Sequence, residues 1–138
     1  MTPRLFGILL TSALLVGATA AESHHSFSAT FDIDKKVTLK GTVVAVRWTN
    51  PHTMIDVESK DGRGQVTKWT FESLPPGVLF RKGLTTSRLK AGTAVTMTGH
   101  LARSTPNFAE VSLIEFADAE AFCVPASGST KICNVEER

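Results

Sequence analysis

Val37-Thr38-Leu39-Lys40-Gly41-Thr42-Val43-Val44-Ala45 decides the fold class. Val37, Leu39, Gly41, Val43 and Ala45 alternate with Thr38, Lys40, Thr42 and Val44, the period of two that marks a strand with one buried face. The phase blurs at Val44, Val46 and Trp48, as a β-bulge or strong twist produces. Asn50-Pro51 then stops the strand with a turn.

Working outward, residues 54–58 make a second strand, with Ile55 and Val57 alternating against Asp56 and Glu58. Asp61-Gly62-Arg63-Gly64 is a tight hairpin turn. Residues 65–72 form a third strand in which Trp69 and Phe71 share a face and Glu72 falls on the other. Pro75-Pro76-Gly77 breaks this run, and Val78, Leu79 and Phe80 lead to Gly83. Pro at the start and Gly at the end predict a short helix there, with a further turn over residues 86–90. Residues 93–102 are a fourth strand and residues 110–116 a fifth. Three strands, a helix and two strands is the element order of a small, five-stranded, OB-like barrel. A sandwich needs about seven strands. The expected class is therefore mainly β, with the barrel over residues 37–117 and one short helix between strands three and four.

The 138 residues suit one domain, and 42% hydrophobic residues suffice for a core. Lys and Arg number 15 against 13 Asp and Glu, a net charge of +2, which argues against a strongly basic nucleic-acid binder and against an acidic disordered chain.

Residues 1–21 read as a secretory signal peptide. Arg4 is the positive n-region, residues 5–16 are apolar apart from Gly7, Thr11 and Ser12, and small residues run from Gly17 to Ala21. A membrane anchor needs about 18 or more apolar residues. Cleavage falls after Ala20 or Ala21, leaving a His-containing segment over residues 22–36 and no membrane span. Loss of Arg4 takes the net charge to +1. The expected location is the periplasm or the exterior. In that oxidising setting Cys123 and Cys133, the two cysteines of the chain, read as a disulfide stapling a tail over residues 118–138.

The chemistry-bearing residues are the four histidines. No H-E-x-x-H, G-x-S-x-G or Walker-type motif occurs, so no enzyme is expected. His24 and His25 lie beside the new amino terminus. With cleavage after Ala21, His24 becomes the third residue, a position that binds Cu(II) or Ni(II) in square-planar geometry. His52 sits in the turn between strands one and two, which in an OB barrel borders the ligand face. His100 alternates with Gly99 and Leu101 and points away from the core. Glu72 lies off the Trp69/Phe71 face and is placed to join them. Imidazoles with one carboxylate suit Zn(II) or Cu(II).

His24-His25-Ser26-Phe27, the alternating Val37 to Val43 strand and Trp48-Thr49-Asn50-Pro51-His52 resemble a family of small exported bacterial proteins of unknown function. Trp69-x-Phe71-Glu72, Leu79-x-Arg81-x-Gly83 and the Gly92 to Gly99 strand match as well. The resemblance implies a compact, β-rich, secreted domain and carries no activity or ligand with it. The Cys123–Cys133 tail is an addition to the pattern.

These readings favour an exported binding module that holds a divalent transition metal through His24, His25, His52, Glu72 and His100. The competing reading is an envelope interaction module whose face carries Trp48, Asn50 and Met54, with incidental histidines. Oligonucleotide binding is disfavoured by a charge of +1 and little basic–aromatic interleaving.

Overall fold

The structure, a computed structural model, describes residues 27–124. The signal-peptide segment, His24, His25 and Cys133 lie outside these residues. A four-residue helix α1 (Phe27–Thr30) leads into β1 (Phe31–Arg47). Strands β2 (Thr53–Lys60) and β3 (Val66–Ser73) follow, then helix α2 (Pro76–Arg81), then β4 (Ala94–Ala102), β5 (Phe108–Phe116) and β6 (Ala121–Cys123). One six-stranded sheet has the order β3-β2-β1-β4-β5-β6, and β3 also pairs with β5. That last pairing is parallel; every other ladder is antiparallel.

The 17-residue β1 is long enough to serve two partners. Its earlier residues pair with β4 and its later ones with β2, overlapping at Gly41 and Thr42. The register against β2 shifts between Val43 and Ala45, so Val44 is the extra residue and turns outward.

Beyond shifts of one or two residues at strand ends, the start of the first strand and the strand count differ from the sequence reading. The first strand begins at Phe31, not Val37; it joins the sheet by pairing with β4, and Asp32, Asp34, Lys35 and Lys36, half-buried or exposed, break the apolar alternation that would have marked it. The sheet also has a sixth strand, in the stretch assigned to the tail. At three residues it is too short to show a period, but its backbone pairs with Leu113, Ile114 and Glu115 of β5.

Helix α2 has Pro76 in its first turn, where a missing N–H costs nothing. Gly83, at φ +94°, ends it. Leu84 N–H donates to the Leu79 carbonyl at 3.0 Å and Gly83 N–H to that of Phe80 at 3.0 Å, a Schellman closure. Leu79 and Leu84, brought together by that closure, are both buried in the core with Leu89. They meet the inward faces of the strands, chiefly Val43, Ile55, Phe71, Met97 and Ile114. Trp69 packs partly buried against this core, its ring 6.2 Å from that of Phe71.

Gly99 allows the closest approach in the sheet. A Cβ there would lie 2.2 Å from the Glu110 carbonyl oxygen and 3.3 Å from the Phe71 ring. Only glycine lets β4 and β5 meet at this register shift.

Candidate functional site

The side chains opposite the core face make up the site. Phe71 and Ala109 point inward, fully buried, so Glu72 and Glu110 point outward from neighbouring positions. The parallel register sets Glu72 beside Glu110; the antiparallel register of β4 and β5 sets His100 beside Glu110. Lys36 of β1 is the next partner of His100, and Met54 of β2 is the partner of Glu72. His52, in the turn before β2, adds its ring at the other end: its Nδ1 is 2.7 Å from Glu72 Oε1. A row of two His–Glu pairs thus crosses strands β3, β5 and β4.

The two pairs differ. His52 is exposed (46% of its side chain) and joined to Glu72 at hydrogen-bond distance. His100 and Glu110 are buried, at 8% and 6% exposure. Their nearest atoms, His100 Nδ1 and Glu110 Oε2, stand 3.8 Å apart, and neither has a hydrogen-bond partner. Burial pushes the His100 imidazolium down, with the Lys36 ammonium adding to it. Burial also pushes the Glu110 carboxyl up to about 7, helped by the neighbouring Glu72. Each group is driven toward its uncharged form, as expected where desolvation exceeds any mutual attraction.

Asp56 shows a satisfied carboxylate on the same outer face of β2. It pairs with Arg47, whose Nη2 donates to Oδ1 at 3.1 Å, and Thr70 Oγ1 donates to the same oxygen at 2.8 Å. Burial works to raise its carboxyl, but these hydrogen bonds and the Arg47 charge outweigh it and hold it low. Glu110 has no such donors.

The His100–Glu110 pair is outward-facing yet buried, and α1 brings one ring against His100. The Phe27 ring stands edge-on to His100 at 5.7 Å between centroids. Phe27 also meets Phe31, and Phe31 meets Phe108. Arg103 ties α1 down: its backbone N–H donates to the Thr30 carbonyl at 2.9 Å and its Nε to the Ser28 carbonyl at 2.9 Å.

Of the residues read from the sequence, His52, Glu72 and His100 fall in this row. Asn50 is exposed in the turn, and Met54 is half-buried beside Glu72. Trp48 is partly buried against the core, and its ring is tilted against that of Phe80 at 5.1 Å between centroids; Phe80 is 44% exposed. Glu110 and Phe27 are not among the residues that the sequence pattern marks as site candidates. A glutamate between Ala109 and Val111 and a lone Phe give no local signal; their roles arise from strand register and a packed terminus.

The described residues contain no group of three or more His, Cys, Asp and Glu side chains arranged to hold a metal ion. They supply two aligned but unpartnered donors, with a second carboxylate next to them. A cleft of about 310 Å³ lined by Leu84, Arg88, Phe116 and Phe122 lies apart from the row's residues. There Arg88 is engaged by Asp118 and Glu120 and lies over Phe116, so its charge is already satisfied.

Fold and row together define a mainly β domain that carries imidazole and carboxylate groups on one outer stripe. The chain belongs to a family of unknown function, DUF6152, which matches residues 13–109. The match takes in all four histidines and Glu72 and ends one residue before Glu110. No curated protein and no solved structure matches the chain.

Proposed function

We propose that this protein is an exported, non-enzymatic binding module that holds a divalent transition metal, Zn(II) or Cu(II), on its row of histidines and glutamates. The observation that carries the reading is the buried His100 Nδ1 and Glu110 Oε2, 3.8 Å apart and unpartnered. That gap is too long for a hydrogen bond. Two metal–ligand bonds of about 2.0–2.2 Å each span it. A cation between them would offset the cost of leaving buried polar atoms unsatisfied, about 1–3 kcal/mol each. His52 and Glu72 would lie beside it, Glu72 next to Glu110 in register.

The strands are best described as an OB-like barrel. In support, the parallel β3–β5 pairing returns the ladder of β1 to β5 upon itself, and α2 sits between β3 and β4. Export rests on the Arg4, apolar and small-residue pattern of residues 1–21. No helix among the described residues is long and apolar enough to cross a membrane. Cys123, half-buried at the end of β6, would pair with Cys133 in the exported protein.

Zn(II) and Cu(II) titration against a competing chelator tests the reading. One tight equivalent, lost in both His100→Ala and Glu110→Gln, is expected; no binding below millimolar metal would end it. The exposed Phe80 in ring contact with Trp48 favours a second reading, a docking face for an envelope protein. A Phe80→Ser variant that loses a partner while keeping its metal would support that one.

A further inference from the structure

We infer that Glu72 is the third ligand of the metal and that His52 holds its carboxylate aside until the ion arrives, so that His52 sets the affinity of the site. This rests on the metal reading above and names the regulation of that same site.

His100 Nδ1 and Glu110 Oε2 are buried and unpartnered. Two donors are too few for zinc, which takes three protein ligands and a water, or four protein ligands. As they stand, the described residues form no group of three. The register shows where the next donor is. Glu110 on β5 has His100 as its partner on β4 and Glu72 as its partner on β3. Adjacent strands run about 4.8 Å apart. Both glutamates leave the outer face, because Phe71 and Ala109 beside them point into the core.

Charge gives the reason for a second carboxylate. A divalent ion on one imidazole and one carboxylate stays positive, in a place where both ligands are more than nine-tenths buried. The next partner of His100, on β1, is Lys36, whose ammonium already disfavours positive charge on the imidazole. A buried charge without a counter-charge is costly. Glu72 is the carboxylate whose charge already reaches Glu110. Moved onto the ion, it neutralises the site.

His52 is what keeps it off. Its Nδ1 stands 2.7 Å from Glu72 Oε1, and its side chain is 46% exposed. An exposed pair of this kind is cheap to break, and a glutamate re-aims by changing rotamer. The ion and the His52 imidazole therefore compete for one carboxylate. His52 is a positioning residue that acts through Glu72 and does not touch the metal.

The test titrates Zn(II) against a chelator in the protein as recovered from the cell. Glu72→Gln is expected to weaken binding more than about 100-fold, since residues that merely support a ligand are worth about 10–100-fold. His52→Ala is expected to tighten it about fivefold, the worth of an exposed ion pair. The double variant His52→Ala/Glu72→Gln should match Glu72→Gln, because the tightening acts only through Glu72. Melting curves of the metal-free variants separate loss of ligand from loss of fold.

Weaker binding in His52→Ala would make His52 a ligand itself, and unchanged affinity would show that it holds nothing back. A double variant tighter than Glu72→Gln would place the cause outside Glu72, and wild-type affinity in Glu72→Gln would take Glu72 off the metal. Each of these overturns the inference, and the metal reading stands where Glu110→Gln still abolishes binding. A wild-type protein that binds no Zn(II) ends both.

Discussion

His52–Glu72 and His100–Glu110 are the same two residue types on the same outer stripe, yet they are in opposite physical situations. The first pair is at hydrogen-bond distance and wet on one side; the second is dry, 3.8 Å apart and unpartnered. An exposed pair contributes little to stability and loses little when broken. A buried one forces a choice between charging a desolvated group and leaving polar atoms unsatisfied. The Phe27 ring of α1 stands against His100, while His52 lies in an exposed turn. Burial turns an ordinary surface pair into a site with unused donor capacity.

The comparison breaks most severely at Gly99. Gly99→Ala puts a methyl group 2.2 Å from the Glu110 carbonyl oxygen, a backbone atom that cannot move without opening the β4–β5 ladder. The expected loss is about 3 kcal/mol or more by overpacking. Urea denaturation measures it, and a variant within about 1 kcal/mol of wild type would show that the ladder yields at this point.

Glu110→Gln sharpens the contrast through pH. The folded Glu110 carboxyl is raised to about 7 by burial and then by Glu72, so the folded state holds its proton where the unfolded chain has released it. The contribution of Glu110 to stability is therefore full below the unfolded pKa of about 4.3. It is lost as pH rises through the folded value of about 7. His100, held low by burial and then Lys36, works in the opposite sense and costs stability as pH falls below its ordinary range. Relative to wild type, metal-free Glu110→Gln gains about 2–3 kcal/mol between pH 4 and pH 8. Parallel denaturation curves at the two pH values would refute this.

Phe27→Ala removes the ring that stands edge-on to His100. Loss of a half-buried ring and its edge contact is expected to cost about 1–2 kcal/mol. It should also return the His100 imidazole toward its ordinary titration range, which an NMR titration reads directly. A His100 midpoint unmoved by the substitution would mean that the strands alone bury it.

The smallest effect belongs to the exposed pair. Glu72→Gln should change metal-free stability by less than about 1 kcal/mol. A larger loss in thermal denaturation would place His52–Glu72 in the structural core of the row and weaken the contrast.

Legibility followed the same division. The alternation of Val37, Leu39, Gly41 and Val43 is written locally, and these residues are the more buried ones in β1. The phase break at Val44 corresponds to the register shift there. Pro76 and Gly83 bracket α2 through their own backbone chemistry. Residues 31–36 escaped because four of the six are charged. They enter the strand through pairing with β4 around an irregular stretch, without an alternating face.

Strand periods, turn residues and the outward phase of His100 and Glu72 are thus readable from the amino-acid order, because each depends on neighbours within a few positions. That His100 and Glu110 sit side by side, that Glu72 adjoins Glu110, and that Phe27 stands against His100 are properties of register and packing. They join residues up to 73 positions apart, from Phe27 to His100. Burial, which distinguishes the two His–Glu pairs, is set by what folds over a side chain, and no local pattern records that.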